Sequence, residues 1–318
     1  MYKFIYNYGY NKDLVMYVNK KLNSIKETGY FKGKNNINIY YEKYCVKNEK
    51  GKIILCHGFS ECLYKFNEII YYFTKMGYSV FAIEHRGHGR SGCLSKTHKN
   101  QINIDKFQYY VEDLKIFLDK IVGKNNKNLY LYAHSMGGAI GTMFLQKYPN
   151  YFKKAILSAP MFEIKTANLP KWLAYIISFA YILIGKGDKY LFGHHPFYGK
   201  YNLEKSGSKN KYRYKTYLNI QRNNEEIQRC GGSFKWLFKS LIVSDKIIKK
   251  RNVKKINIPI IIFQAGKDTF VKARGQNKFY KRAKNCKIIR FKNAKHEFFG
   301  ENDKIFIQYL KIINKFLD

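Results

Sequence analysis

From Ile37 to the C-terminus, short apolar runs alternate with longer segments in which apolar residues recur every three or four positions. Six runs read as strands: KIILC (52–56), YSVFAIE (78–84), NLYLYAH (128–134), KAILSA (154–159), IPIIIFQA (258–265) and CKIIRF (286–291). Most are apolar along their length rather than at every second position, which is the pattern of a parallel strand covered on both faces. Between them, Glu61–Met76, Asp105–Val122, Met136–Tyr148, Val271–Ala283 and Asp303–Leu317 carry helical spacing. The repeat of strand then helix predicts a doubly wound, mostly parallel sheet of the α/β class.

One interval breaks the rhythm. Residues 160–253 offer no clear strand but hold the longest apolar run, Trp172–Ile184 (WLAYIISFAYILI), followed by a Gly/His/Pro stretch and a Lys/Tyr/Asn-rich segment. The expectation is a helical cap inserted between two parts of one core, 1–159 and 254–318, above the carboxyl ends of the strands, where α/β ligand sites lie. The apolar run is short of the roughly 20 residues a bilayer span needs, so packing in a core, an acyl pocket or an interface is expected of it.

Composition narrows the picture. With 318 residues, 46% hydrophobic, 25% charged and only 5 prolines, the chain is globular, not a disordered or linker protein. Lys+Arg 59 against Asp+Glu 22 gives a net charge of +37, a field that draws anionic membrane or nucleic acid. The lysines are spread along the whole chain and accompany abundant Asn, Ile and Tyr, which fits compositional drift better than a gathered nucleic-acid patch. No specific nucleic acid is therefore expected, and a drifted surface still attracts anionic lipid. Six cysteines without a CxxC pair suggest neither a zinc site nor a disulfide framework. The first twenty residues show no continuous apolar core or small-residue cleavage site, so no leader is read and a cytoplasmic location is expected.

The chemistry centres on LYAHSMGGAIG (131–141). Ser135 stands between the run NLYLY and the helical MGGAIGTMFLQKY, the strand–turn–helix context of a nucleophile elbow, with Ala133 where G-x-S-x-G has its first glycine. A serine capping a helix is the ordinary alternative. Downstream, IPIIIFQA runs into GKDTFV and places Asp268 beyond one strand end, while CKIIRF runs into KNAKHEFF and places His296 beyond the next. Serine, acid and histidine in that order at strand ends are the parts of a relay. LCHGFSE supplies a turn at Gly58, so the backbone N–H groups of Phe59 and Met136 are the expected oxyanion donors. The loop EHRGHGRSG (84–92) reads as a support for that segment, with Arg86 or Arg90 as a further candidate for a substrate phosphate. For His194 and His195 two readings stand, substrate contact and a solvated surface pair, and the second is preferred.

HGFSE, EHRGHGRSG, AHSMGGAIG, GKDTFV and HEFFGE, in this order, resemble the monoacylglycerol lipase and lysophospholipase branch of the α/β-hydrolases, from about residue 37 onwards. AHSMGG, APMFEI, LPKWLAY, NLEKS and CGGSFKWL are most similar to bacterial lysophospholipases; Glu84 departs from the usual aspartate of the D-x-R-G-x-G loop. The resemblance implies an α/β-hydrolase fold with a helical cap and a serine esterase acting on single-chain acyl lipids, foremost a lysophospholipid. Monoacylglycerols, small esters and peptides are the other substrates in view, and an inactive membrane-binding or nucleic-acid-binding protein is the other class. Ser135, Asp268 and His296 are the expected catalytic residues, Trp172 and Ile176 the expected acyl contacts. No metal or organic cofactor is required, and peripheral association with an anionic membrane is expected.

Overall fold

The computed structural model describes residues 12–96, 98–123, 128–167 and 169–318; the first eleven residues, part of the stretch read for a leader, lie outside them. Strands β1 (Lys26–Lys32), β2 (Asn38–Tyr44), β3 (Gly51–Cys56), β4 (Tyr78–Ile83), β5 (Leu129–His134), β6 (Lys154–Ser158), β7 (Ile260–Ala265) and β8 (Cys286–Phe291) form one sheet in the order β1-β2-β4-β3-β5-β6-β7-β8. From β4 to β8 every pairing is parallel, and only the β1–β2 and β2–β4 pairings are antiparallel.

The six apolar runs of the sequence are β3 to β8. Their neighbouring side chains go to opposite faces, as the strand repeat demands. Ile54, Leu131 and Ala133 join a core with α3 (Gln108–Phe117), α4 (Met136–Lys147) and α9 (Ala273–Tyr280). Ile53, Leu55, Tyr130 and Tyr132 join a second core with α1 (Lys12–Asn23), α2 (Asn67–Lys75) and α10 (Asp303–Leu317). Apolar residues on both faces bury only when both faces are covered, which is why these strands show no alternation.

The hairpin β1–β2 was not expected from the pattern. KETGYFK buries only Phe31, and NIYYEKY hides its acid, Glu42, by bonding it to Lys26 and the hydroxyls of Tyr40 and Tyr44. β1 is the edge strand, and neither segment has the continuous apolar run that marks β3 to β8.

Between β6 and β7 the chain forms α5 (Lys171–Leu183), α6 (Lys211–Arg222), α7 (Phe234–Ile247) and the short α8 (Lys250–Val253), with no sheet strand among the described residues. At 13 residues α5 is about 20 Å long, and no described helix is long and apolar enough to cross a membrane.

Candidate active site

Ser135 lies between β5 and α4 with φ 50° and ψ −115°, a left-handed conformation that side-chain-bearing residues adopt at a cost of about 1–3 kcal/mol. Close packing over-determines it. The Ser135 N–H donates to Ser158 O and its carbonyl accepts from the N–H of Met161. A Cβ at Gly137 would stand 2.3 Å from Cys56 O and 2.5 Å from His57 O, so α4 starts directly against the end of β3. Ala133 is tolerated at the elbow because Gly141 faces it: a Cβ there would lie 3.4 Å from the Ala133 methyl.

His296 Nε2 is 2.8 Å from Ser135 Oγ, and His296 Nδ1 is 2.7 Å from Asp268 Oδ2. Asp268 Oδ1 accepts from the N–H groups of Phe270 and Val271, at 2.8 and 3.0 Å. All three side chains are buried. Burial works to raise the Asp268 carboxyl, but His296 and the two amides outweigh it and hold the group below the usual carboxylate range. An ionised Asp268 accepts from Nδ1–H and leaves Nε2 with its lone pair toward the serine hydroxyl. Three residues 28 to 161 positions apart are thus brought into one line.

The expected oxyanion donors sit on either side of the elbow. Met136 opens α4, so the helix supplies no acceptor for its N–H. His57 orients the other: its Nδ1–H donates to Gly58 O at 2.7 Å, and its Nε2 accepts from the N–H of His85 at 2.9 Å. The carbonyl of Gly58 and the N–H of Phe59 belong to one trans peptide and point in opposite directions. Holding the carbonyl back on His57 therefore aims the Phe59 N–H forward. Gly58 N–H is fixed in turn by Glu61 Oε2 at 2.6 Å. The loop 84–92 does support this segment, through His85.

Neither arginine of that loop is available to a phosphate. Arg86 is buried in a two-point pair with Asp113, at 2.6 and 2.7 Å, and Arg90 is bonded to Glu84 and Glu42. Glu84 bonds Leu63 N–H and Arg90 N–H together, at 3.0 and 2.5 Å.

A cavity of about 1100 Å³ opens on Ser135 and His296. Its lining includes the apolar residues Met161, Ile177, Leu191, Phe234 and Leu237 and a bonded polar cluster of Glu61, Lys65, Ser208 and Glu297. The polar cluster was not anticipated. Lys65 Nζ lies 2.7 Å from Glu297 and 3.1 Å from Glu61. Burial and the neighbouring Glu297 raise the Glu61 carboxyl; burial opposes ionisation of Glu297 as well, yet Lys65 and the Ser208 hydroxyl hold that group low. Glu61 and Lys65 at i and i+4, directly after HGFS, are the signal in the sequence that marks this cluster.

Trp172 and Ile176 do not contact the cavity. They are 65% and 53% exposed on the outer face of α5, while Ala174, Ile177 and Ser178 of the same helix line the cavity. Packing against α7 turned the helix that way, since Ala174 and Ser178 are its buried small residues. His194 and His195 are exposed, as a solvated pair should be, yet both stand on the cavity rim, and His194 Nδ1 accepts from Gly232 N–H at 2.9 Å.

The chain is similar over much of its length to known proteins. A probable lysophospholipase L2 of Haemophilus influenzae is 32% identical over 297 residues, 92% of each chain. Lysophospholipase L2 of Escherichia coli is 27% identical over 252 residues, 78% of this chain and 73% of that one. In three dimensions, a soluble variant of monoglyceride lipase from Saccharomyces cerevisiae, solved with a substrate analog, aligns with a TM-score of 0.71 at 20% identity, covering 92% of this chain and 96% of that one, a likeness of fold. Residues 47–303 match the family model described as serine aminopeptidase, S33, and the chain belongs to that family of α/β-hydrolases.

Proposed function

We propose that the protein is a serine esterase that releases the fatty acid from a single-chain acyl lipid, foremost a lysophospholipid. The observation that carries the reading is the Ser135–His296–Asp268 line, at 2.8 and 2.7 Å, opening on a cavity lined by both apolar residues and a charged cluster. In this mechanism His296 Nε2 takes the hydroxyl proton as Ser135 Oγ attacks the ester carbonyl. The Phe59 and Met136 N–H groups stabilise the oxyanion of the tetrahedral intermediate. Its collapse breaks the ester C–O bond, and the proton on His296 passes to the departing alcohol. Water then attacks the acyl-serine by the same steps and frees the acid and Ser135.

The apolar lining suits an acyl chain and the Glu61–Lys65–Glu297 cluster a polar head group. The similarity to lysophospholipases over 92% and 78% of the chain supports the phospholipid over the glyceride. A monoacylglycerol is the second reading, supported by the fold shared with the yeast lipase. The exposed side chains of α5 (Trp172, Ile176, Phe179 and Leu183) on a protein of charge +37 support peripheral docking on an anionic membrane from the cytoplasmic side. The test is kcat/KM on lysophosphatidylcholine and on a monoacylglycerol of equal chain length. Preference for the phospholipid is expected, and preference for the glyceride would reverse the choice. A fluorophosphonate probe should label Ser135, and an unlabelled folded protein would favour a non-catalytic lipid-binding role.

A further inference from the structure

The inserted segment does more than roof the cavity. It grips the loop that carries His296. The Lys295 ammonium has three protons to donate. It lies 2.9, 2.9 and 3.2 Å from the carbonyls of Leu203, Glu204 and Ser206. On the other side of His296, Glu297 N–H donates to Gly207 O at 3.0 Å, and the Ser208 hydroxyl donates to Glu297 Oε2 at 2.6 Å. Farther along, Gly300 O accepts from the N–H groups of Lys209 and Asn210, at 3.0 and 2.9 Å, and Glu301 O accepts from Arg213 at 2.6 Å.

The fit is close enough to exclude side chains. A Cβ at Gly207 would come within 2.7 Å of Glu297 Oε1, and one at Gly300 within 2.2 Å of Ser208 Oγ. Residues 201–205 are otherwise largely exposed, while Gly207 and Ser208, where the segment meets the loop, are buried. The loop of Asp268 is held from the same insertion: Lys165 N–H donates to Phe270 O at 2.9 Å, Lys272 N–H donates to Glu163 O at 2.8 Å, and the Lys165 ammonium bonds Asp268 O.

From this geometry we infer that Lys295, Glu297 and Ser208 are positioning residues, through which the cap segment 203–210 sets the alignment of His296 on Ser135. The inference rests on the esterase reading. Ser206, Gly207 and Ser208 also line the cavity, so a head group bound there touches the strap that holds the general base. A shift of about 1 Å in such a group costs on the order of a hundredfold in rate. Its alignment with the serine is therefore a property of the cap as well as of the sheet.

The experiment compares wild type, Lys295→Met, Lys295→Arg and Ser208→Ala. Thermal melts establish folding, and each protein is measured for fluorophosphonate labelling, kcat, KM and the pH profile of kcat/KM. In Lys295→Met, kcat is expected to fall between about tenfold and a hundredfold, with KM moved less than about twofold and the acid limb of the profile displaced. Ser208→Ala should do the same more weakly, and Lys295→Arg, which still donates to the carbonyls, should recover most of the loss. Folded Lys295→Met or Ser208→Ala with wild-type kcat and an unmoved profile would overturn the inference. Should Lys295→Met fail to fold, Ser208→Ala decides alone. Wild type that is not labelled overturns the esterase reading and this inference together; labelled wild type with indifferent variants overturns this inference only.

Discussion

The two halves of the candidate site are held by different means. Ser135 and the Gly58–Phe59 peptide are fixed where main chains touch: α4 abuts the end of β3 at Gly137, and His57 pins the Gly58 carbonyl. Asp268 and His296 stand on loops beyond β7 and β8 that are bound to the inserted segment by main-chain bonds at Phe270, Lys272 and Glu297 and, beside them, by the long side chains of Lys295 and Lys165. Both halves have main-chain contacts, but only the second also depends on lysines that reach across to carbonyls and can move with their partners. The difference teaches that, on the esterase reading, the attacking atom belongs to the sheet, while the group that activates it is shared with the inserted segment.

The largest expected effect tests the half held by the sheet. Ser135→Ala should fold as wild type and lose turnover on the order of a million-fold; hydrolysis that persists in the purified variant would place the attacking atom elsewhere. Next comes acid. Burial and neighbouring imidazoles keep His57 and His134 well below the ordinary histidine range, and burial above all lowers His85 to about 3 and His88 to about 4. Their folded values lie under the unfolded value of about 6.5, so their full contribution to stability is present above that pH. Below it the unfolded chain binds protons that the fold refuses, and each histidine removes about 1.4 kcal/mol per pH unit until its folded value is reached. Urea unfolding at pH 7.5, 6 and 5 should show a slope of several protons; a slope of one or less would mean that these rings are charged or wet in the fold.

Gly137→Ala is the sharpest steric probe of the same half. Alanine gains about 1 kcal/mol in a free helix, but here the methyl meets two carbonyl oxygens, and a net loss of about 1–3 kcal/mol is expected in equilibrium unfolding. A stabilised variant would show that α4 can retreat from β3. On the cap half the two faces of α5 should separate. Ala174→Phe, inside the cavity, should cut kcat/KM on long acyl chains about tenfold relative to a short-chain ester. Trp172→Ala, outside it, should leave turnover of a soluble ester unchanged and weaken binding to anionic vesicles a few-fold. Equal effects of both on chain-length preference would place the acyl chain outside the helix.

Most of the sheet was legible because burial on two faces leaves a signature that needs no partner to read. KIILC and IPIIIFQA carry that signature in their own residues. KETGYFK and NIYYEKY are strands only beside each other and β4, since their acids and lysines are balanced across the hairpin. The relay was legible for a related reason: a strand end marks where a side chain emerges, and Ser135, Asp268 and His296 each follow one. Helix α5 shows the opposite case. A helix apolar all round has no face of its own, and the small residues Ala174 and Ser178, four apart, are the one trace of the side that packs. Arg86 failed for want of Asp113, a partner 27 residues away that pattern alone does not connect.

The sequence by itself determined which segments are strands in the middle of the sheet, in what order the reactive residues emerge from it, and that the insertion interrupts it between β6 and β7. These follow from local periodicity and chain order, which no later contact alters. Only the tertiary structure decided which face of α5 meets the cavity, that Glu61, Lys65 and Glu297 share one pocket, and that the strap at 203–210 closes on both sides of His296. Those are matters of which distant surfaces meet, and hydrogen bonds between a lysine and three carbonyls leave no periodic mark in either segment.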